Sequence, residues 1–283
     1  MSVDVFTRPV APYPLGKTWK STADVLDQVS GPITDAIVIY GGWGGRQAGK
    51  PLPGGPQTGT AQLVQEIEKI TRTPPVLHSV KLISLEGAMG DSSVVQGFNF
   101  IKTNFHPLGR LMIYGYSMGG VDALALSRKL DRELPHYHFP SGKLISRGMP
   151  GSVGKPGTPP SLGRVRVDLL ITVDVAFGPL STASVVVNRT VAPCVRKNLN
   201  FYETNPKPRV FSQGGPNTPE NPQATDVVNV DLSRRRSHLR PGQEVDHGTI
   251  DNDTWYEVVW AIRGTLGSEA RPPFPFPTGV FAT

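Results

Sequence analysis

The sequence predicts an α/β fold, a mostly parallel sheet flanked by helices, and three observations predict it. Between Asp35 and Ala125, apolar runs of strand length alternate with segments of helical periodicity. The runs are continuously apolar, as in strands covered on both faces. One of them, Leu111–Tyr114, passes through Gly115-Tyr116-Ser117-Met118-Gly119 into a helical pattern, a sharp strand–turn–helix.

The elements follow in order. Residues 1–34 carry scattered prolines and little periodicity and read as an irregular lead-in. Asp35–Tyr40 is the first strand, and Gly41-Gly42-Trp43-Gly44-Gly45 follows it at once. Ala61–Arg72 is a helix with Leu63, Val64, Ile67 and Ile70 on its apolar face; Lys69 and Arg72 suit its negative end, and Pro74-Pro75 stops it. Val80–Leu85 is the second strand, and Asp91–Phe105 is a helix capped by Asp91 or Ser92. After the strand–turn–helix, the rhythm breaks from Asp131 to Arg164, where six prolines fall between Pro135 and Pro160. This stretch, about 132–164, reads as an irregular insertion, because it is longer than most connections in a compact domain.

Val165–Val173 resumes the sheet, with Asp174 at its end. Ser181–Val195 carries a helical reading that Pro193 interrupts. Asn200–Glu203 and Arg209–Ser212 are short strands, Gly214–Pro222 is a turn-rich loop, and Asp226–Leu232 is the last strand. The final helix starts near Asn252, with Trp255, Val258, Val259 and Ile262 on its apolar face. Residues 35–268 form one domain, since the insertion leaves too few residues on either side for two good cores, and 269–283 are an irregular tail.

The glycines around Ser117 have a physical reason. A strand turning directly into a helix crowds the positions on either side of the central residue, and glycine removes the collision. The serine hydroxyl then stands above the sheet edge at the positive end of a helix. With its strand and helix in place, Gly115–Gly119 resembles the nucleophile elbow of the α/β-hydrolase family, and the resemblance covers about residues 35–265. It implies a nucleophilic Ser117 and an oxyanion hole. The Met118 N–H is one donor, and the glycine-rich loop after the first strand supplies another from Gly42 or Trp43. It also implies a lid over the pocket in the segment after the elbow helix.

A serine hydroxyl at neutral pH needs a base, and the base needs an orienting acid. In this family the chain order is serine, acid, histidine. His247 follows the last strand in a polar loop ahead of the closing helix; His238 sits beside Arg234-Arg235-Arg236, whose charge lowers basicity. His136 and His138 lie in the insertion. Asp174 is the expected acid and Glu203 its rival at the end of the next strand. Asp246 adjoins His247, and Asp231 falls inside the last strand.

Composition removes other classes. The net charge of +6 comes without a basic stripe interleaved with aromatics, so no nucleic-acid partner is expected. The one cysteine, Cys194, excludes an internal disulfide and any multi-cysteine metal site, and it reads as a buried, inert thiol. Gly44–Lys50 fits the start of a phosphate-binding loop, but Pro51 stands where that motif needs Ser or Thr. No cofactor or metal is expected. No apolar stretch is long enough to span a membrane, and the opening residues lack a signal-peptide pattern, which together give a cytoplasmic expectation.

The expected activity is hydrolysis of carboxylic esters or thioesters, with small-molecule or lipid acyl substrates favoured. An amidase, peptidase or acyltransferase on the same triad is the alternative. A non-catalytic module of the same fold for binding or structure is the second. Trp43, Tyr116 and Met118 suit either an acyl pocket or core packing.

Overall fold

Strand β1 (Thr34–Gly41) is apolar on both faces because it is covered on both, and its residues alternate between two cores. Ala36, Val38 and Tyr40 face one, while Ile37 and Ile39 face the other. The computed structural model describes residues 33–42, 58–72, 79–87, 91–106, 109–133, 165–177, 187–205 and 214–267. After β1 come α1 (Gly59–Arg72), β2 (Ser79–Glu86), α2 (Ser92–Asn104), β3 (Leu111–Tyr116), α3 (Met118–Glu133) and β4 (Leu169–Val173). They are followed by β5 (Thr190–Val191), β6 (Lys197–Tyr202), β7 (Thr218–Pro219), β8 (Asp226–Asp231) and α4 (Ile250–Thr265).

Six strands form one sheet in the order β2-β1-β3-β4-β6-β8, and every pairing in it is parallel. β5 and β7 pair separately, also in parallel. Leu63, Val64 and Ile67 of α1 and Val258, Val259 and Ile262 of α4 pack on one face with Met112 and Tyr114. Val94, Phe98 and Ile101 of α2 and Leu124, Leu126 and Leu130 of α3 pack on the other with Leu111 and Ile113. This is the α/β architecture that the alternating pattern predicts.

The order fixes where a site can form. The chain leaves β1 toward β2 on one side, and it leaves β3 toward β4 on the other. Between β1 and β3 the connections diverge, the switch point at whose carboxyl ends open α/β sheets bind their ligands. Gly42 and Ser117 are the residues that follow those two ends.

Several boundaries differ from expectation. α3 runs on to Glu133, past Asp131, where the helical rhythm breaks in the sequence. Residues 187–195 are not helical: β5 lies there, followed by a turn at Pro193-Cys194. Pro193 supplies no N–H, and the run of valines before it favours extended backbone. β6 begins at Lys197, three residues before the expected strand, because Asn198 and Asn200 find buried partners and need no solvent. Asp91 precedes α2, but its side chain makes no capping hydrogen bond. Cys194 is buried, and its Sγ donates to the Ser127 carbonyl at 3.3 Å. The lead-in to residue 32, Gly44–Lys50, the expected insertion from 134 to 164, the expected strand at Arg209–Ser212 and the tail from 268 lie outside the described residues. Among the described residues, no helix is long and apolar enough to cross a membrane.

α1 docks closely against α4 at its start. A Cβ on Gly59 would fall 1.9 Å from the Asp251 carbonyl oxygen, so only glycine fits there. The Thr60 N–H donates to Asp251 Oδ2 at 3.4 Å. Burial pushes the Asp251 carboxyl up to about 6, against hydrogen bonds from the Thr60, Asn252 and Gly59 backbone and the field of His247. A folded-state value above the ordinary 3.8 means that the fold favours the neutral acid. This stabilisation is full below pH 3.8 and is lost as pH rises through about 6, to a limit of about 3 kcal/mol. Asp251→Asn should therefore gain stability relative to wild type as pH rises from 4 to 8, read as urea midpoints. A difference that does not change with pH would contradict this.

Candidate active site

Ser117 and Asp174 stand at the ends of neighbouring strands, β3 and β4, and both have left-handed backbone, with φ of 55° and 40°. They are the only non-glycine residues with positive φ among the described residues. Such a conformation costs on the order of 1–3 kcal/mol and persists only where neighbours over-determine it. Here the two turns brace each other. The Ser117 N–H donates to the Val173 carbonyl at 2.9 Å, and the Ala176 N–H donates to the Ser117 carbonyl at 3.2 Å. The residues flanking Asp174 thus take up both peptide groups of Ser117.

The glycines of the turn are packing requirements. A Cβ on Gly115 would lie 2.1 Å from the Gly119 carbonyl oxygen, and one on Gly119 would lie 2.4 Å from that of Gly41. α3 therefore starts flush against the ends of β1 and β3. Met118 is its first residue, so its N–H has no acceptor within the helix. Met118 itself is 1% exposed and belongs to the core. Gly42 borders the site, where an added Cβ would lie 3.5 Å from Ser117 Cβ. Trp43 lies outside the described residues.

His247 comes from a tight turn just ahead of α4. The Asp246 carbonyl accepts from the Thr249 and Ile250 N–H groups, each at 2.9 Å. The Asp246 carboxylate accepts from the Gly248 N–H at 2.9 Å and from Arg240 at 3.1 Å. The imidazole lies between the two strand ends: Ser117 Oγ is 2.9 Å from Nε2, and Asp174 Oδ2 is 2.6 Å from Nδ1. An ionised carboxylate only accepts, so Nδ1 carries the proton and Nε2 is left to accept from the serine. All three side chains are withdrawn from solvent, with Ser117 at 5%, Asp174 at 0% and His247 at 8% exposure.

Glu203 and His238 have other partners. Glu203 is buried after β6, and its Oε2 accepts from the Asn205 N–H instead of meeting the imidazole through Nδ1. His238 is exposed and donates its backbone N–H to Asp253. His136 and His138 lie outside the described residues. Among the described residues no cluster of His, Cys, Asp or Glu is arranged to hold a metal.

Sequence reasoning missed the support beneath Asp174. Thr172 Oγ1 donates to Asn200 Oδ1 at 2.9 Å, and Asn200 Nδ2 donates to Asn229 Oδ1 at 2.8 Å and to the Gly215 carbonyl at 3.0 Å. Asn217 Nδ2 donates to Thr172 Oγ1 and Asn198 Oδ1, both at 2.9 Å. The network ties three strands to the 214–217 loop. Its trace in the sequence is the spacing of Asn198 and Asn200, two amides on one face of an otherwise apolar strand. Arg189 completes the clamp by donating to the Val175 carbonyl at 2.9 Å and the Gly215 carbonyl at 3.4 Å. Burial lowers its pKa, and the charge of Asp174 opposes that.

No protein-family model and no curated protein sequence matches the chain. Among solved structures, the chain is similar to an iodinated complex of acetyl xylan esterase at 13% identity, covering 84% of this chain and 100% of that one, with a TM-score of 0.34. A second acetylxylan esterase structure is similar at 14% identity, over 83% of this chain and 100% of that one, with a TM-score of 0.32. Values this low bear on neither site nor substrate. What the coordinates define is an α/β protein with a helix-flanked parallel sheet and a hydrogen-bonded Ser–His–Asp run at its carboxyl edge.

Two adjacent glycines in the loop beneath Asp174 should differ in tolerance. An alanine Cβ at Gly214 would lie 1.7 Å from the Glu203 carbonyl oxygen and 2.6 Å from Asp174 Oδ1, whereas at Gly215 the nearest atom is Arg189 Nε at 3.4 Å. Gly214→Ala should lose about 1–3 kcal/mol, and Gly215→Ala should stay near wild type, in denaturant unfolding. Equal effects would contradict the packing described.

Proposed function

We propose that this chain is a serine hydrolase that cleaves carboxylic ester or thioester bonds through Ser117, His247 and Asp174, with lipid or other acyl compounds as substrates. The observation that carries this reading is the unbroken run of hydrogen bonds from Ser117 Oγ through the imidazole to Asp174. The left-handed backbone at both ends of the run supports it.

The steps follow from the chemistry of the three groups. Ser117 Oγ attacks the acyl carbon as its proton passes to His247 Nε2. Asp174, holding Nδ1–H, stabilises the imidazolium that forms and keeps its own charge. The carbonyl oxygen becomes negative and is met by the Met118 N–H, with Gly42 or Trp43 as the second donor. Loss of one such donor costs about 2.7–4 kcal/mol of transition-state stabilisation. The imidazolium gives its proton to the departing alkoxide or thiolate, which leaves an acyl ester on Ser117. Water, deprotonated by His247, then attacks that ester, and the acid and the free serine are released.

The two candidate acids separate cleanly by mutation. With p-nitrophenyl esters of graded chain length, Ser117→Ala should lower kcat on the order of a millionfold, as when a triad nucleophile is removed. Asp174→Asn should lower it roughly ten-thousand-fold by presenting the wrong tautomer, and Glu203→Gln less than tenfold. Unchanged hydrolysis in Ser117→Ala, or a larger loss in Glu203→Gln than in Asp174→Asn, would contradict the assignment.

A further inference from the structure

His247 differs from its two partners in how it is held. Ser117 and Asp174 end strands in the middle of the sheet, so its hydrogen bonds fix their separation. His247 stands in the connection that follows β8, an edge strand of the sheet. That connection is anchored to its own turn, to a neighbouring loop and to α4: the Val245 N–H donates to the Arg235 carbonyl at 2.8 Å, Asn205 Nδ2 donates to the Val245 carbonyl at 3.3 Å, the His238 N–H donates to Asp253, and Arg235 pairs with Glu257 at 2.9 Å. None of these runs to β3, where the nucleophile sits.

Tyr116 does. It is the last residue of β3 and the chain neighbour of Ser117. Its hydroxyl donates to the backbone carbonyl of His247. Its ring stacks on the imidazole, with centroids 5.5 Å apart and planes inclined by 28°. The serine–imidazole contact and the tyrosine–carbonyl contact thus leave adjacent residues and end on the same residue. Together they close a small ring, and the base loop cannot drift without stretching both. The ring also lies close to the residue that follows β1: a Cβ on Gly42 would lie 3.2 Å from Tyr116 Cδ1 and Cε1.

The hydroxyl is an obligate donor. Burial raises its pKa well above the ordinary tyrosine value, and the charges of Asp251, Asp174, Tyr114 and Asp246 raise it further. It stays protonated, and a protonated phenol facing a carbonyl can only donate.

We propose that Tyr116 is a positioning residue that sets the place and tilt of the His247 ring relative to Ser117. The proposal rests on the reading of Ser117 as a nucleophile, and it adds a role for the residue just before it. Phenylalanine at this position keeps the stack and drops the tether, and leucine drops both.

The test uses the full chain as wild type, Tyr116→Phe, Tyr116→Leu and Ser117→Ala, with a fluorophosphonate as the probe. In Tyr116→Phe the limiting inactivation rate should fall roughly tenfold, with the half-saturating probe concentration and the melting temperature near wild type. Tyr116→Leu should fall further. Proton NMR of histidine-labelled protein should show the His247 Nδ1–H line, assigned by its loss in His247→Gln, shifted or broadened in Tyr116→Phe. A purely structural tyrosine would change the melting temperature and leave both the limiting rate and this line in place. That result in Tyr116→Phe, which decides even if the leucine variant does not fold, would overturn the proposal. Wild-type protein inert to the probe would instead remove the nucleophile reading. In that case the His247 line still decides on Tyr116: a changed line supports the tether, and an unchanged one overturns it.

Discussion

Two turns at the ends of β3 and β4 hold their central residues, Ser117 and Asp174, in the left-handed region where side chains other than glycine rarely sit. Neither turn would persist alone. Each is braced by the other through the Ser117 peptide, whose N–H and carbonyl are both taken by the segment around Asp174. The rest of the carboxyl edge is arranged around that bracing. Gly115 and Gly119 let α3 start against the strand ends, the asparagine network and Arg189 hold the 214–217 loop beneath Asp174, and the turn at Asp246 delivers the imidazole into the gap. Strain held this way is already in place before any substrate arrives, which is what a preorganised site requires.

The setting is also electrically uneven. Asp174, Asp246 and Asp251 gather around one imidazole, with Arg240 on Asp246 and Arg189 behind the Asp174 loop as the nearby cations. Buried carboxylates are costly unless hydrogen-bonded, and here the backbone carries much of that load. Asp251 takes the N-terminus of α1, and Asp246 takes its own turn. Only Asp174 is directed at the imidazole through Nδ1. The same crowding keeps the Tyr116 phenol protonated. In this way carboxylates of one kind divide into a structural pair and one facing the imidazole.

Much of the fold is legible in the sequence, because a parallel sheet writes itself locally. A strand buried on both faces must be continuously apolar, as Asp35–Tyr40 and Leu111–Tyr114 are, and α1 shows its buried stripe at helical spacing. The strand end at Asp174 and the polar turn at His247 are visible for the same reason. What is not legible depends on pairing across distance. Asn200 and Asn229 are bonded neighbours, 29 residues apart, only because β6 and β8 lie side by side in register. Gly214 looks like one more loop glycine until the Glu203 carbonyl is set against it. Tyr116 reads as an aromatic of either pocket or core, since its partner, the His247 carbonyl, lies 131 residues away. The helical reading of Ser181–Val195 fails at residues 187–195 because β5 finds β7 as a partner, which no local pattern announces.

The central claim is that the hydroxyl of Ser117 is a nucleophile activated by His247. Peptide mapping by mass spectrometry after reaction with a fluorophosphonate tests it directly. The account predicts a single phosphonyl adduct on the peptide bearing Ser117, absent when His247 is replaced by alanine. An adduct on another residue, or one on Ser117 that forms equally fast without His247, would contradict it.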